Sequence, residues 1–337
     1  MTLVPFNDRD GLIWMDGALV PWREAKLHVL SHGLHYASGV FEGERCYAGN
    51  IFKLREHTER LIRSAEILGF AIPRSAEEID SACRAVVAAS GLVDAYVRPV
   101  AWRGSEQLSI SGAQTKTHLA IACWAWPNLF GADRMAGVRL GMAPWKRPHP
   151  ETAPTASKAS GLYMIGTLSR QAAEAQGFDD ALMLDWRGHV AEATGANVFL
   201  VIDGALHTPT PDCFLDGITR RTVMAMARRR QMRVVERLVP ETDLGRASEV
   251  FLAGTAAEVT PVREIAGRRY TTGPITETLL RDYDALVRME PGEVSRRLAA
   301  RRCSSTRRRS SSSSWASSSR ASLTASAGSM RSSTAAA

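Results

Sequence analysis

Several familiar signals are missing from this 337-residue chain. Its five cysteines (Cys46, Cys83, Cys123, Cys213, Cys303) are odd in number, scattered and never spaced as a C-x-x-C pair, which excludes a disulfide framework and a zinc cage. They are expected to be reduced, mostly packed thiols. No uninterrupted apolar run approaches the ~18 residues of a membrane span. The first residues carry Asn7, Asp8, Arg9 and Asp10 where a signal peptide needs an apolar stretch, so a cytoplasmic location is expected. Neither G-x-G-x-x-G nor G-x-x-x-x-G-K-[ST] occurs, which removes most support for dinucleotide and nucleoside-triphosphate chemistry.

The formal charge of +7 misleads. Of the 42 basic residues, nine arginines lie after Gly292 beside a single acid, Glu293, so the first 292 residues hold 33 bases against 34 acids. The stretch 293–337 is nearly all Ser, Arg and Ala, without apolar period, and is expected to be a disordered low-complexity tail. An Arg/Ser tract can bind RNA or an acidic surface, and an out-of-frame end to a GC-rich reading frame has the same composition. Deleting it should leave catalysis intact.

The rest reads as an α/β (α+β) chain of two domains, as its length suggests. Residues 1–130 form a small N-terminal α/β domain, 131–137 an interdomain loop, and 138–292 a larger domain. Asp16-Gly17 marks a hairpin between 13–15 and 18–20, and Ala48-Gly49-Asn50 a second one between 40–47 and 51–54. An amphipathic helix spans 57–68 and stops at Gly69, and Ser75-Ala76-Glu77-Glu78 is a capping box opening another. Strands follow at 95–102 and 118–126. Beyond the loop come a strand at 138–143, a proline-rich stretch at 146–155, a helix at 162–176, strands at 181–185, 190 and 197–202, a helix opening at Thr219, and strands within 249–269.

Five short runs carry the chemistry. Lys158 sits among Ala156, Ser157, Ala159, Ser160 and Gly161, small residues that would let a flat aromatic cofactor approach the backbone. A lysine is a nucleophile only when neutral or already joined to a bound aldehyde, and an isolated one is usually a solvated charge. Gly217-Ile218-Thr219 precedes a helical run, so its amides would face an anion at a helix N-terminus, or simply form a cap. Arg60 could add charge to that anion, although most helix arginines are only solvated. Gly254-Thr255-Ala256 offers a tight turn with exposed amides, or an ordinary β-turn. Glu192, at a strand end, could hold a pyridine nitrogen protonated; by itself such a residue is idle. His28, His32 and His35 have no carboxylate or cysteine ligand nearby, so they read as packed or surface histidines and no metal is assigned.

Taken together, SHGLHYASGVFEGERCY at 31–47, REHTERL at 55–61, YVRP at 96–99, SKASGLY at 157–163, AEATGANVF at 191–199, DGITR at 216–220 and AGTAAEVTPV at 253–262 closely resemble the branched-chain aminotransferases of the fold-type IV pyridoxal-phosphate enzymes. The resemblance runs from about 12 to 287. It implies a small α/β domain beside a larger pseudo-barrel domain, pyridoxal 5'-phosphate as cofactor, and a homodimer or trimer of dimers. It implies that Lys158 forms the Schiff base and shuttles the proton. Arg60, the Ile218 and Thr219 amides after Gly217, and the Thr255 hydroxyl would hold the phosphate; Glu192 the ring nitrogen; Tyr163 the phenolic oxygen. The turn at Thr255-Ala256 and Tyr96 would bind the substrate α-carboxylate, and Arg98 the side-chain carboxylate of glutamate. Phe41, Tyr36 and Trp126 would line an apolar pocket, Tyr36 from across a dimer interface, and Arg45 matches a further pocket arginine.

The activity so implied is transamination between leucine, isoleucine or valine and 2-oxoglutarate, giving branched 2-oxo acids and glutamate. A D-amino-acid or amine aminotransferase and an aminodeoxychorismate lyase share the same cradle. A nucleic-acid binder with an Arg/Ser tail and an inactive body is the reading of a different class. Two departures from the family pattern touch the pocket: Leu129 stands where a tyrosine is usual, and SEQLSISG at 105–112 replaces a Gly-rich loop.

Overall fold

The computed structural model describes residues 4–126 and 134–288. Both the tail at 293–337 and Leu129 lie outside them, as do residues 131–133 of the expected interdomain loop.

The first sheet takes its strands from the first part of the chain: β1 (Leu12–Met15), β2 (Ala18–Pro21), β3 (Gly39–Phe41), β4 (Glu44–Tyr47), β5 (Asn50–Ile51), β6 (Ala95–Arg103) and β7 (Thr117–Ala125). Their order is β2-β1-β7-β6-β4-β5, with β3 also on β6. The turn between β1 and β2 has Asp16 and Gly17 at φ 52° and 119°, the positive values such a two-residue hairpin turn requires. Two helices, α2 (Leu54–Ile67) and α3 (Ala76–Ser90), follow the short α1 (His32–Tyr36) and bury Leu61, Ala65, Ile79, Cys83 and Val86 against the sheet. At the start of α3, the Ser75 hydroxyl accepts from the Glu78 amide while the Glu78 carboxylate accepts from the Ser75 amide, as the capping box anticipates.

Sequence reading places the start of α2 three residues late. The expected strand at 51–54 stops at Ile51, and Lys53, in the left-handed conformation at φ 55°, turns the chain directly into a helix at Leu54. The expected strand at 40–47 is also broken, at Glu42-Gly43, into β3 and β4. This break matters to the site below.

The second sheet is β8 (Val138–Met142), β9 (Asp180–Leu184), β10 (His189–Ala193), β11 (Asn197–Ile202), β12 (Ala205–Pro209), β13 (Val234–Arg237), β14 (Val239–Pro240), β15 (Glu249–Gly254), β16 (Glu258–Ile265) and β17 (Arg268–Arg269). Its path runs β13-β12-β11-β15-β16-β8-β9-β10-β14, and an additional pairing of β10 with β11 closes β11-β15-β16-β8-β9-β10 into a ring. The closing pair is Glu192 with Asn197. Closure leaves Val138, Leu140, Leu182, Val198, Leu200, Val250, Leu252 and Val262 inside a continuous apolar core, which is the pseudo-barrel expected above. Three helices accompany it: α4 (Met164–Glu174), α5 (Ile218–Arg229) and α6 (Pro274–Val287). On the outside, α5 and α6 pack Val223, Ala227, Leu279 and Tyr283 against Phe199 and Phe251, whose rings stack 4.9 Å apart.

Candidate active site

A cavity of about 140 Å³ opens where the first sheet faces one end of the barrel. Lys158, Arg60, Tyr163, Glu192, Gly217, Ile218, Thr219, Thr255, Ala256, Phe41, Tyr96 and Arg98 all line it. Seven runs scattered through the sequence thus share one wall. Three singled-out residues do not lie on it. Tyr36 is 45% exposed, Arg45 is buried with Nη1 3.6 Å from Glu258, and the Trp126 ring lies tilted against that of Tyr96, their centres 4.5 Å apart.

The lysine segment is held from both sides. Its amide donates to the Ser64 hydroxyl at 3.0 Å, and Ser157 Oγ donates to the Ser64 carbonyl at 2.9 Å, which fastens the segment to α2. Its carbonyl accepts from the Phe41 amide at 3.2 Å, next to an antiparallel bridge between Val40 and Ala159. The side chain therefore leaves a fixed backbone. Nζ donates to the Tyr163 hydroxyl at 2.7 Å and lies 5.0 Å from the centre of the Phe41 ring.

Arg60 points across the cavity from α2 because Glu42, at the break between β3 and β4, grips it. Glu42 is fully buried and accepts Arg60 Nε at 2.6 Å and Nη2 at 2.8 Å, while His57 Nδ1 lies 2.7 Å away. Burial alone would raise the Glu42 pKa, but the charge of Arg60 and the contact with His57 overcome it and hold the carboxylate below its ordinary range. The first turn of α5 lines the same cavity. Gly217 caps it without a side-chain bond, so the leading amides have no capping oxygen and face the cavity with the positive end of the helix dipole.

Glu192 occupies the seam of the barrel. Asn197 Nδ2 donates to it at 3.1 Å, and Arg147 Nε lies 3.3 Å away, itself without a hydrogen-bond partner of good geometry. Burial pushes the Glu192 carboxyl up to about 7, against the lowering pull of Arg147 and Lys158. Such a carboxyl gains from a cationic partner inside the cavity. The far wall is β6, where Tyr96 and Arg98, two residues apart, share a face. Arg98 Nη2 donates to the Tyr96 hydroxyl at 3.0 Å, and its guanidinium carbon lies 4.6 Å from the centre of the Phe41 ring.

Glycines make the room. A Cβ on Gly217 would come within 2.1 Å of Asn197 Oδ1, and one on Gly43 within 2.0 Å of the Tyr96 hydroxyl. Sequence reasoning missed Glu42, His57, Arg147 and Asn197. Glu42 and Asn197 stand inside motifs already recognised, whereas Arg147 in its proline-rich loop carries no signal of its own. The histidines considered for metal are engaged locally: His32 bonds Ser38 Oγ and the Ser109 carbonyl, His35 the Val29 carbonyl, and His28 the Leu30 amide. The altered loop at 105–112 is absent from the cavity wall.

The cavity brings together the Lys158 amine, the buried Glu192 carboxyl, and Arg60 with the uncapped amides at the start of α5. Pyridoxal phosphate matches it part for part: an aldehyde for the amine, a ring nitrogen for the carboxylate, a phosphate for the amides and arginine. That fit, on a closed barrel of this strand order, is the fold-type IV arrangement of pyridoxal-phosphate enzymes. The chain belongs to the amino-transferase class IV family, which matches residues 39–265. It is 42% identical over 288 residues to the branched-chain-amino-acid aminotransferase of Pseudomonas aeruginosa, covering 83% of this chain and 94% of that one. Against the branched-chain-amino-acid aminotransferase of Escherichia coli K12 the identity is 37% over 284 residues, with coverage of 81% and 92%. Among solved structures, it resembles the branched-chain aminotransferase of Thermoproteus uzoniensis with norvaline (39% identity, TM-score 0.80, 83% and 95% covered). It also resembles the branched-chain amino acid aminotransferase of Thermobaculum terrenum in its pyridoxal-phosphate-bound form (30% identity, TM-score 0.76, 83% and 94% covered).

Proposed function

We infer that this chain transfers the amino group of leucine, isoleucine or valine to 2-oxoglutarate, yielding branched 2-oxo acids and glutamate. The observation that carries this is the wall formed by Phe41, Tyr96 and Arg98. An aromatic ring and a guanidinium 4.6 Å apart offer one side-chain pocket both an apolar surface and a cation, which suits an enzyme that must take leucine and glutamate in turn. When bound, the cofactor supplies an aldehyde for the substrate amine and a pyridinium ring that withdraws electrons from Cα.

This chain's residues do the rest. Lys158 would hold the cofactor aldehyde and move the proton at the substrate Cα, and the Tyr163 hydroxyl 2.7 Å away orients its nitrogen. Glu192 keeps the ring nitrogen protonated, with Asn197 fixing the carboxylate. Arg60, set by Glu42, and the amides of Ile218 and Thr219 after Gly217 hold the phosphate, joined by the Thr255 hydroxyl. The Thr255 and Ala256 amides and the Tyr96 hydroxyl receive the α-carboxylate, and Arg98 the second carboxylate of glutamate.

The two-domain division, 1–130 and 138–292 joined through 131–137, belongs to the same proposal and is supported by each sheet taking its strands from one side of that boundary. So does a homodimer or trimer of dimers, in which a neighbouring subunit covers the exposed apolar side chains of Val29, Leu34 and Tyr36, and Tyr36 and Trp126 help complete the pocket. No described helix is long and apolar enough to cross a membrane, and a cytoplasmic location is part of the same proposal. The test is to load the enzyme with pyridoxal phosphate and record its spectrum on adding leucine, glutamate, D-alanine or a simple amine separately. Leucine and glutamate should each bleach the cofactor band; a response confined to D-alanine or to the amine would transfer the assignment to those aminotransferases.

A further inference from the structure

Glu258 opens β16 immediately after the turn that contains Thr255 and Ala256, and pairs across that turn with Gly254. Its backbone is left-handed at φ 54°, and its side chain is buried. A buried carboxylate on a residue other than glycine in this conformation is costly twice over, and persists only where its surroundings over-determine it.

Those surroundings come from three residues. Tyr47, at the end of β4 in the first sheet, donates its hydroxyl to Glu258 Oε1 at 2.6 Å. Burial chiefly raises the pKa of that phenol, so it stays a donor across the working pH range. Arg134 Nη1 lies 2.9 Å from Oε2, while its Nη2 donates to the carbonyl of the next residue, Val259, at 3.0 Å. Arg45 adds a second positive group at 3.6 Å, which explains why this arginine turns away from the cavity. A single carboxylate therefore fixes the root of a turn whose Thr255 and Ala256 line the cavity, and fastens it to the sheet that carries Tyr96 and Arg98.

We propose that Glu258 is a positioning residue for substrate: held by Tyr47 and Arg134, it sets the Thr255-Ala256 turn so that its amides meet the α-carboxylate. This rests on the assignment of that turn to α-carboxylate binding. Glu258 touches neither substrate nor cofactor, and its effect reaches them only through the turn.

The experiment compares the Glu258→Gln and Tyr47→Phe holoenzymes with the unmodified one, measuring the dissociation constant of 4-methylpentanoate by titration and the leucine half-reaction by rapid mixing. Both variants should bind the carboxylate inhibitor and leucine about tenfold more weakly, while the limiting rate of the half-reaction changes by less than about twofold. Cofactor content should be unchanged. Unaltered affinities in either well-folded variant, or a limiting rate that falls as far as affinity, would overturn the proposal. Tyr47→Phe removes one hydrogen bond and no charge, so it decides the matter if Glu258→Gln does not fold. Weaker inhibitor binding in the variants of an enzyme that does not react with leucine at all would uphold Glu258 and overturn the donor assignment instead.

Discussion

Gly217→Ala isolates the part of the site proposed to hold the cofactor ring. The backbone at Gly217, φ −62° and ψ 139°, suits alanine, so the substitution has no conformational cost and removes some freedom from the unfolded chain. What it adds is a methyl 2.1 Å from Asn197 Oδ1, far inside contact distance. Asn197 must swing away. Its Nδ2 then loses Glu192 and the Leu215 carbonyl, both at 3.1 Å. A hydrogen bond to a charged group contributes ~1.5–3 kcal/mol, which corresponds to a cofactor dissociation constant raised about ten- to hundredfold. Apoenzyme titrated with pyridoxal phosphate and followed by absorbance gives that constant directly. A second variant, Asn197→Ala, should weaken binding by a similar amount, and the two changes together by little more than either alone. A Gly217→Ala constant within about twofold of the unmodified enzyme would refute the route through Asn197.

Three further outcomes are expected. Glu42→Gln leaves Arg60 without its buried anion, so the urea midpoint should fall by an amount equivalent to ~3–5 kcal/mol, and an unchanged midpoint would contradict the role given to Glu42. Because burial raises Glu192 from 4.5 to about 7, its proton is held more tightly folded than unfolded. The stability of the apoenzyme should therefore be full below about 4.5 and decline as pH rises through about 7, with Glu192→Gln flattening that decline in thermal melts. Arg98→Ala should slow the glutamate half-reaction more than the leucine one; equal losses in single-turnover assays would remove Arg98 as the glutamate-selective cation.

Much of the cavity lining was legible because each piece has a local signature. Asp16-Gly17, the Ser75–Glu78 box and the uncapped glycine before α5 follow from backbone chemistry, and the Lys158, Glu192 and Thr255 runs from short motifs. The three-residue delay at α2 has a physical cause: its N-terminus lies at Lys53, a left-handed residue with no capping side chain, so nothing in the sequence announces it. Barrel closure was out of reach of pattern reading, since β16 runs parallel to β8, pairing Val262 with Val138 across more than a hundred residues. The same holds for Glu42 and Arg147. Both look like ordinary solvated charges until their burial and the groups opposite them are seen. Glu258 is hidden for a different reason: its partners Tyr47 and Arg134 lie far away in sequence, and only tertiary packing brings them together.

Everything in the site converges on Lys158. Treatment of the pyridoxal-phosphate-loaded enzyme with borohydride, followed by proteolysis and mass spectrometry, should place the reduced cofactor adduct on the peptide containing Lys158 and nowhere else, and Lys158→Ala should abolish it. An adduct on another lysine, or none at all, would contradict the account.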